Sequence, residues 1–227
     1  MGELTQMADV ARRPSLPKYS EVHSRAFRQY LENETIAEKL LEFENSYVPG
    51  LLQIPSYARA LLRTSYRLTS LPPDEREDIE EQLNKKVEVR MFRQKIFNEG
   101  GVSKASFVLD ESVIRRVVGA EIHDTTIMVN QLEYLKKMSR HPRIDVRIVP
   151  FGAGTHLGMS GSFVVLEFPD VDDLPLLYLE YATGEFVTKE DQRLIQRFTS
   201  DFEALQDQGY RGMDLERLLD DAITDIR

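Results

Sequence analysis

The amino-acid sequence predicts an α+β fold, with N-terminal helices followed by a mainly antiparallel sheet packed against helices. Three observations predict it. Apolar residues recur at helical spacing up to Gly100-Gly101 and again after Thr188. Between these regions stand short runs rich in β-branched and aromatic residues, at Ala105–Leu109, Val146–Val149, Ser162–Phe168 and Leu176–Tyr181. The last three runs follow one another with no room for crossover helices, which predicts a largely antiparallel sheet.

Along the chain, Leu4, Met7, Ala8 and Ala11 share one helical face, and Arg13-Pro14 ends it because proline disfavours a helical residue before it. Residues 1–30 are expected as an N-terminal helix and linker, and residues 31–227 as one α+β domain without internal repeats. From Ser20 to Glu44, the spacing of Val22, Ala26 and Tyr30, then Ile36, Leu40, Leu41 and Phe43, predicts one helix or two. Val48-Pro49-Gly50 breaks it. The next helix opens at Pro55, where the missing N–H costs nothing, and carries Tyr57, Ala58, Leu61 and Leu62. The strongest helix follows Pro72-Pro73. Asp74, Glu75, Glu77 and Asp78 suit the positive end of its dipole, and Gly100-Gly101 stops it.

Ala105–Leu109 is then a strand leading into Asp110-Glu111, and a helix from about Thr125 ends before His141-Pro142. Phe186-Val187 completes a hairpin with Leu176–Tyr181 through Thr183-Gly184. Thr188-Lys189-Glu190-Asp191 has the form of a capping box opening a helix whose buried stripe is Leu194, Ile195, Phe198, Phe202 and Leu205. Met213 to Ile226 repeats the pattern with Leu215, Leu218, Leu219, Ala222 and Ile223.

Composition narrows the function. The 227 residues carry 38 acids against 29 bases, and the net charge of -9 repels a phosphate backbone. DNA contact is therefore expected only through another segment or subunit. The absence of cysteine removes disulfides, thiolate metal sites and cysteine nucleophiles, and the four histidines show no metal-ligand spacing, so neither metal nor cofactor is implied. The N-terminal stretch has no apolar signal segment and no run approaches a bilayer span, which gives a cytoplasmic expectation and no membrane partner.

Candidate binding residues come from polar groups on apolar stripes. Arg90 and Gln94 interrupt the stripe of Leu83, Val87 and Phe97, and Gln131 interrupts that of Ile127, Tyr134, Leu135 and Met138. An inward Arg needs an acceptor, expected from Asp110, Glu111 or Glu180. Two readings stay open, a structural network beneath the sheet or the polar lining of a small-molecule pocket. The glycine-rich loop Gly152 to Gly161 joins two strands, so it lacks the strand-to-helix setting of a phosphate-binding loop, and Gly158-Met159-Ser160-Gly161 does not match the G-x-S-x-G nucleophile elbow. It is expected as a mobile lid or connection, with His156 exposed upon it.

The run Tyr47-Val48-Pro49-Gly50-Leu51-Leu52-Gln53, followed by Pro55, Tyr57, Ala58, Arg59 and Ala60, resembles the C-terminal domain of actinobacterial Xre-type helix-turn-helix regulators of the WhiJ-like, antitoxin-like group. The resemblance continues through Val89-Arg90-Met91-Phe92-Arg93-Gln94, Val108-Leu109-Asp110-Glu111, Gln131-Leu132, Ile148-Val149-Pro150 and Gly158-Met159-Ser160-Gly161-Ser162-Phe163. Too few residues precede Tyr30 for the DNA-binding domain found upstream in that group, and Gln206-Asp207-Gln208-Gly209-Tyr210 replaces the segment expected after Leu205. The resemblance implies a domain that receives a small molecule or a small partner protein, with a homodimer as a further expectation. The candidate ligand- or partner-binding residues are Tyr47, Gln53, Tyr57, Arg90, Gln94, Glu111, Gln131 and His156. The alternative is a stand-alone enzyme acting on a small metabolite, with Arg90 and a carboxylate in its pocket.

Overall fold

The computed structural model describes residues 23–66, 71–181 and 183–227. The helix expected over Leu4 to Arg13 lies outside them. Ser24 opens α1 (Arg25–Glu34), its Oγ accepting from the Phe27 N–H at 3.0 Å, and Tyr30 and Leu31 form the buried side of that helix. The helix expected to follow is instead a strand, β1 (Lys39–Glu44). Leu40 and Phe43 are both fully buried but belong to different cores, Leu40 to the one on one side of the sheet and Phe43 to the one on the other. A strand covered on both faces reads as an apolar run and not as an alternation, and Ile36, Leu40, Leu41 and Phe43 also satisfy a helical repeat.

Helices α2 (Pro55–Ser65) and α3 (Pro73–Asn98), each with proline in its first turn, carry the chain from β1 to β2 (Lys104–Asp110), which lies parallel to it. Asp110 caps the short α4 (Glu111–Arg115), and α5 (Thr126–Met138) leads on to β3 (Ile144–Val149), parallel to β2. On the other side of β1, strands β4 (Phe163–Glu167), β5 (Leu176–Tyr181) and β6 (Gly184–Thr188) form an antiparallel meander, giving the order β3-β2-β1-β4-β5-β6. Three of the five pairings are antiparallel. The parallel pairs are those whose connections contain helices, as chain reach demands.

Helix α6 (Gln192–Gln208) covers one face of the sheet, where Ile195, Phe202 and Leu205 meet Phe43, Val108, Phe163 and Val165. Its N-cap is Asp191, whose side chain accepts from the Leu194 N–H at 3.0 Å. The expected capping box is thus displaced: Thr188 ends β6 and its Oγ accepts from the Glu190 and Asp191 N–H groups in the turn. The larger core on the opposite face draws on α1, α2, α3, α5 and α7 (Gly212–Ile226). Between α6 and α7, Tyr210 exchanges two backbone hydrogen bonds with Ile148, closing the β3 edge of the sheet. Gly209 lies so close to Arg147 there that a Cβ would sit 2.7 Å from the arginine's own. Among the described residues no helix is long and apolar enough to cross a membrane.

Candidate functional site

The turn from Val48 to Gln53 leaves β1 with few backbone partners of its own, and side chains supply them. The Val48 N–H donates to the Tyr57 hydroxyl at 3.2 Å, and Gln53 Nε2 donates to the Val48 carbonyl at 2.7 Å. Gln94 Nε2 donates to the Gly50 and Gln53 carbonyls at 3.1 and 2.6 Å. From α5, the fully buried Gln131 accepts from the Ile54 N–H at 2.8 Å and donates to the Leu52 carbonyl at 2.7 Å. Gln94, Gln131 and Tyr57 therefore satisfy backbone groups that would otherwise be buried unpaired.

This turn forms one wall of a cavity of about 290 Å³ between the sheet and the helices above it. The cavity's floor is acidic. Glu42 and Glu44, two apart on β1, share a sheet face, and Glu180 of β5 and Glu185 of β6 join them. Its roof is basic, because Lys86, Arg90 and Arg93 stand four and three residues apart on α3. An aromatic end is made by Phe27 and Tyr30 of α1 and Tyr178 of β5, with the Tyr30 and Tyr178 rings stacked at 4.7 Å.

The roof's three cations differ in partnering. Arg93 is buried and paired two-pronged with buried Glu34, Nε to Oε2 at 2.8 Å and Nη2 to Oε1 at 2.6 Å. Burial works against its charge, but Glu34 outweighs it and holds the guanidinium pKa above its ordinary value. Arg90 donates through Nη1 to the Gln53 amide oxygen. The carboxylate partner expected for Arg90 from Asp110, Glu111 or Glu180 is thus replaced by a neutral amide, because Glu180 lies on the opposite wall of the cavity and Asp110 and Glu111 stand in a separate cluster at the end of β2. Burial first, and Arg93 next, bring the Arg90 pKa down to about 10. Lys86 lies over the Tyr66 ring, 5.0 Å from its centre.

On the floor, burial pushes Glu42 up to about 8, with Arg93 pulling it down and Glu34 and Glu180 adding to the rise. Burial and then Glu42 raise Glu44, and burial followed by Glu185 raises Glu180. Glu180 is open to water inside the cavity mouth, while the surrounding walls remove part of its hydration. Glu42 Oε2 is buried without a hydrogen-bond partner among the described residues, and the buried Tyr178 hydroxyl lies beside Glu185.

The remaining sequence-predicted residues form a second cluster at the end of β2. Asp110 accepts from the Ser112 N–H at 2.7 Å and meets His156 Nε2 at 2.9 Å. These bonds outweigh burial and lower its pKa. Glu111 Oε2 accepts from the Phe151 N–H at 2.7 Å while Oε1 meets Arg115 at 3.0 Å. The Gly152 to Gly161 loop, expected as a mobile lid or a connection between strands, joins β3 to β4: Asn45 donates to its Gly158 carbonyl at 3.2 Å, and a Cβ on Gly158 would lie 2.1 Å from Phe43. The His156 side chain, expected in solvent, is 4% exposed because it packs on Phe43 and bonds Asp110.

Of the eight candidates, Tyr47, Gln53 and Arg90 line the cavity. Tyr57, Gln94 and Gln131 brace the turn beside it, and Glu111 and His156 anchor the glycine-rich loop. Sequence reading missed Glu42 and Glu44, whose spacing of two identifies a shared face only once β1 is known to be a strand. It also missed Arg93 and Glu34, although Arg93 is three residues beyond Arg90 on one helical face.

Fold and site together define an α+β domain with an internal, charge-lined cavity between its sheet and its helical layer. The chain belongs to the family defined by a domain of unknown function, DUF5753, whose model matches residues 27–220. No curated protein matches the chain.

Proposed function

We propose that this domain is the regulatory, ligand-binding part of a transcription regulator of the Xre type, and that its ligand is a small molecule held in the cavity between the sheet and α3. One observation carries the reading. Among the described residues, Lys86 and Arg90 on the roof and Glu42, Glu44 and Glu180 on the floor make no ion pair, although they line one cavity. A core built only for stability would be expected to join such charges, as Arg93 and Glu34 are joined. Charges held apart across a space of about 290 Å³ suit a ligand that completes both walls. The resemblance of the Tyr47–Ala60 run to the sensing domains of Xre-type regulators supports the regulatory half of the reading, and the net charge of -9 supports contact with DNA through another segment.

The test is native mass spectrometry of the purified chain, followed by thermal shift with a fractionated metabolite extract. A ligand that binds only the folded state raises its stability by RT ln(1 + [L]/Kd). The expected result is a non-covalent small molecule or a stabilising fraction, lost in Ser65→Trp, since Ser65 is exposed on the cavity's rim. A chain that carries nothing and responds to no fraction, or a response unchanged in Ser65→Trp, overturns the proposal.

A further inference from the structure

We infer that the cavity takes a small molecule bearing a protonated amine, seated with its ammonium on the floor formed by Glu42, Glu44 and Glu180 and its body against the stacked Tyr30 and Tyr178 rings. This rests on the reading of the cavity as a ligand site and adds the chemical class of the ligand.

The charge balance points first to a cation. With Arg93 committed to Glu34, four carboxylates on the floor face Lys86 and Arg90 on the roof. Two of the four are direct cross-strand partners, Glu180 opposite Glu185 in the β5–β6 register, an arrangement of like charges that destabilises a sheet when nothing neutralises it. The donors beside Glu185 are neutral, the Ser24 hydroxyl and the Tyr178 hydroxyl. An anionic ligand would lie over four carboxyl groups that must stay protonated beside it, and of the two roof cations Arg90 is already engaged with Gln53.

Atomic geometry at the floor gives the same answer. Glu42 Oε2 has no hydrogen-bond partner among the described residues, and Glu42 lines the cavity. An ammonium offers three donors from one compact charge. The aromatic end already receives one cation, since the Arg93 guanidinium lies 5.7 and 5.5 Å from the Phe27 and Tyr30 ring centres.

In the absence of a cation, the floor limits its own repulsion by keeping protons. Glu42 faces Arg93 and Glu34 from the helical side and Glu44, Glu180 and Arg90 along the cavity, and its carboxyl titrates at about 8. An arriving ammonium replaces those protons, so amine binding near neutral pH should release protons into solution. Binding of an anion would draw protons in.

The experiment is calorimetry on the whole chain with 1,4-diaminobutane, lysine and glucosamine, each against a counterpart lacking the amine: butane-1,4-diol, hexanoate and glucose. Titrations in two buffers of different ionisation heat read the proton count. At least one amine is expected to bind about tenfold or more tighter than its counterpart, with net proton release. Glu44→Gln should weaken that binding by about tenfold. Glu180→Gln, at the solvent-open mouth, should weaken it likewise and serves where Glu44→Gln perturbs folding. No binding by any of the three amines, tighter binding of an amine-free counterpart, proton uptake, or unchanged affinity in both variants overturns the inference. If a metabolite fraction still binds in a manner sensitive to Ser65→Trp, the cavity reading survives and only the amine assignment fails; if no fraction binds, both fail.

Discussion

Replacing Arg93 by methionine tests the energetic logic of the domain most directly. Arg93 reaches Glu34 through two nitrogens, and its Nη2 also donates to the Tyr30 hydroxyl at 3.2 Å, while that hydroxyl donates to Glu34 Oε1 at 2.6 Å. Both charged side chains are 7% exposed. Methionine fills the space of the arginine stem but leaves Glu34 buried without its cation, a change that costs about 3–5 kcal/mol. For a domain of this size each kcal/mol moves the midpoint by about 2–4 °C, so Arg93→Met should melt about 6–20 °C lower. Guanidinium unfolding checks the free energy, and an unchanged m-value confirms that the native state remains compact. The double variant Arg93→Met with Glu34→Met should recover a large part of the loss, because an apolar pair strands no charge. A silent Arg93→Met, or a double variant whose loss equals the sum of the two singles, would refute the claim that this pair is an interdependent buried unit.

Other outcomes follow from the same coordinates. Gln131→Leu removes the side chain that partners the Ile54 N–H and the Leu52 carbonyl, at a cost of about 1–3 kcal/mol for each group left unpaired, measurable by denaturant unfolding. An unaltered midpoint would mean that the turn relaxes onto other partners. Gly158→Ala places a methyl 2.1 Å from the Phe43 ring tip and should destabilise by about 1–3 kcal/mol through overpacking; a melt equal to wild type would show that the loop is loose. Glu42 should make stability depend on pH. Its folded pKa, raised from 4.5 to about 8, means that the folded state keeps a proton which the unfolded chain has already lost, so its contribution is full below about 4.5 and disappears as pH rises through about 8. Glu44 and Glu180 are raised and act with the same sign. The fall in melting temperature from about pH 5 to about pH 8 should therefore be shallower in Glu42→Gln than in wild type, and superimposable profiles would count against the assignment.

What the sequence revealed, and what it hid, divides along one physical line. Helices α5 and α6 were legible because one face of each is wet and carries a period that solvent imposes, whereas α3 was bounded by its flanking Pro72-Pro73 and Gly100-Gly101 and the β5–β6 hairpin by its Thr183-Gly184 turn. Strand β1 was not, because it lies in the middle of the sheet with a core on one side and a mixture of core and cavity on the other. On its inner face, Leu40 packs in apolar core, whereas Glu42 and Glu44 line the cavity, so neither strict alternation nor an unbroken apolar run survives. Polar residues on helical stripes were found as exceptions, but their two roles could not be separated in one dimension. Gln94 and Gln131 look the same in sequence as Arg90, and only the placement of the Val48–Gln53 turn makes the first two backbone partners and leaves the third in the cavity wall. The acids that complete the floor come from β1 and, more than a hundred residues further along the chain, from β5 and β6. They become one group because the β1–β4–β5–β6 registers line up Glu42 with Val164 and Tyr178, and set Glu180 against Glu185. The same register sets these carboxylates facing Lys86 and Arg90 without contact. A pairing rule applied along the sequence would have neutralised those charges, and the cavity exists because the fold keeps them apart.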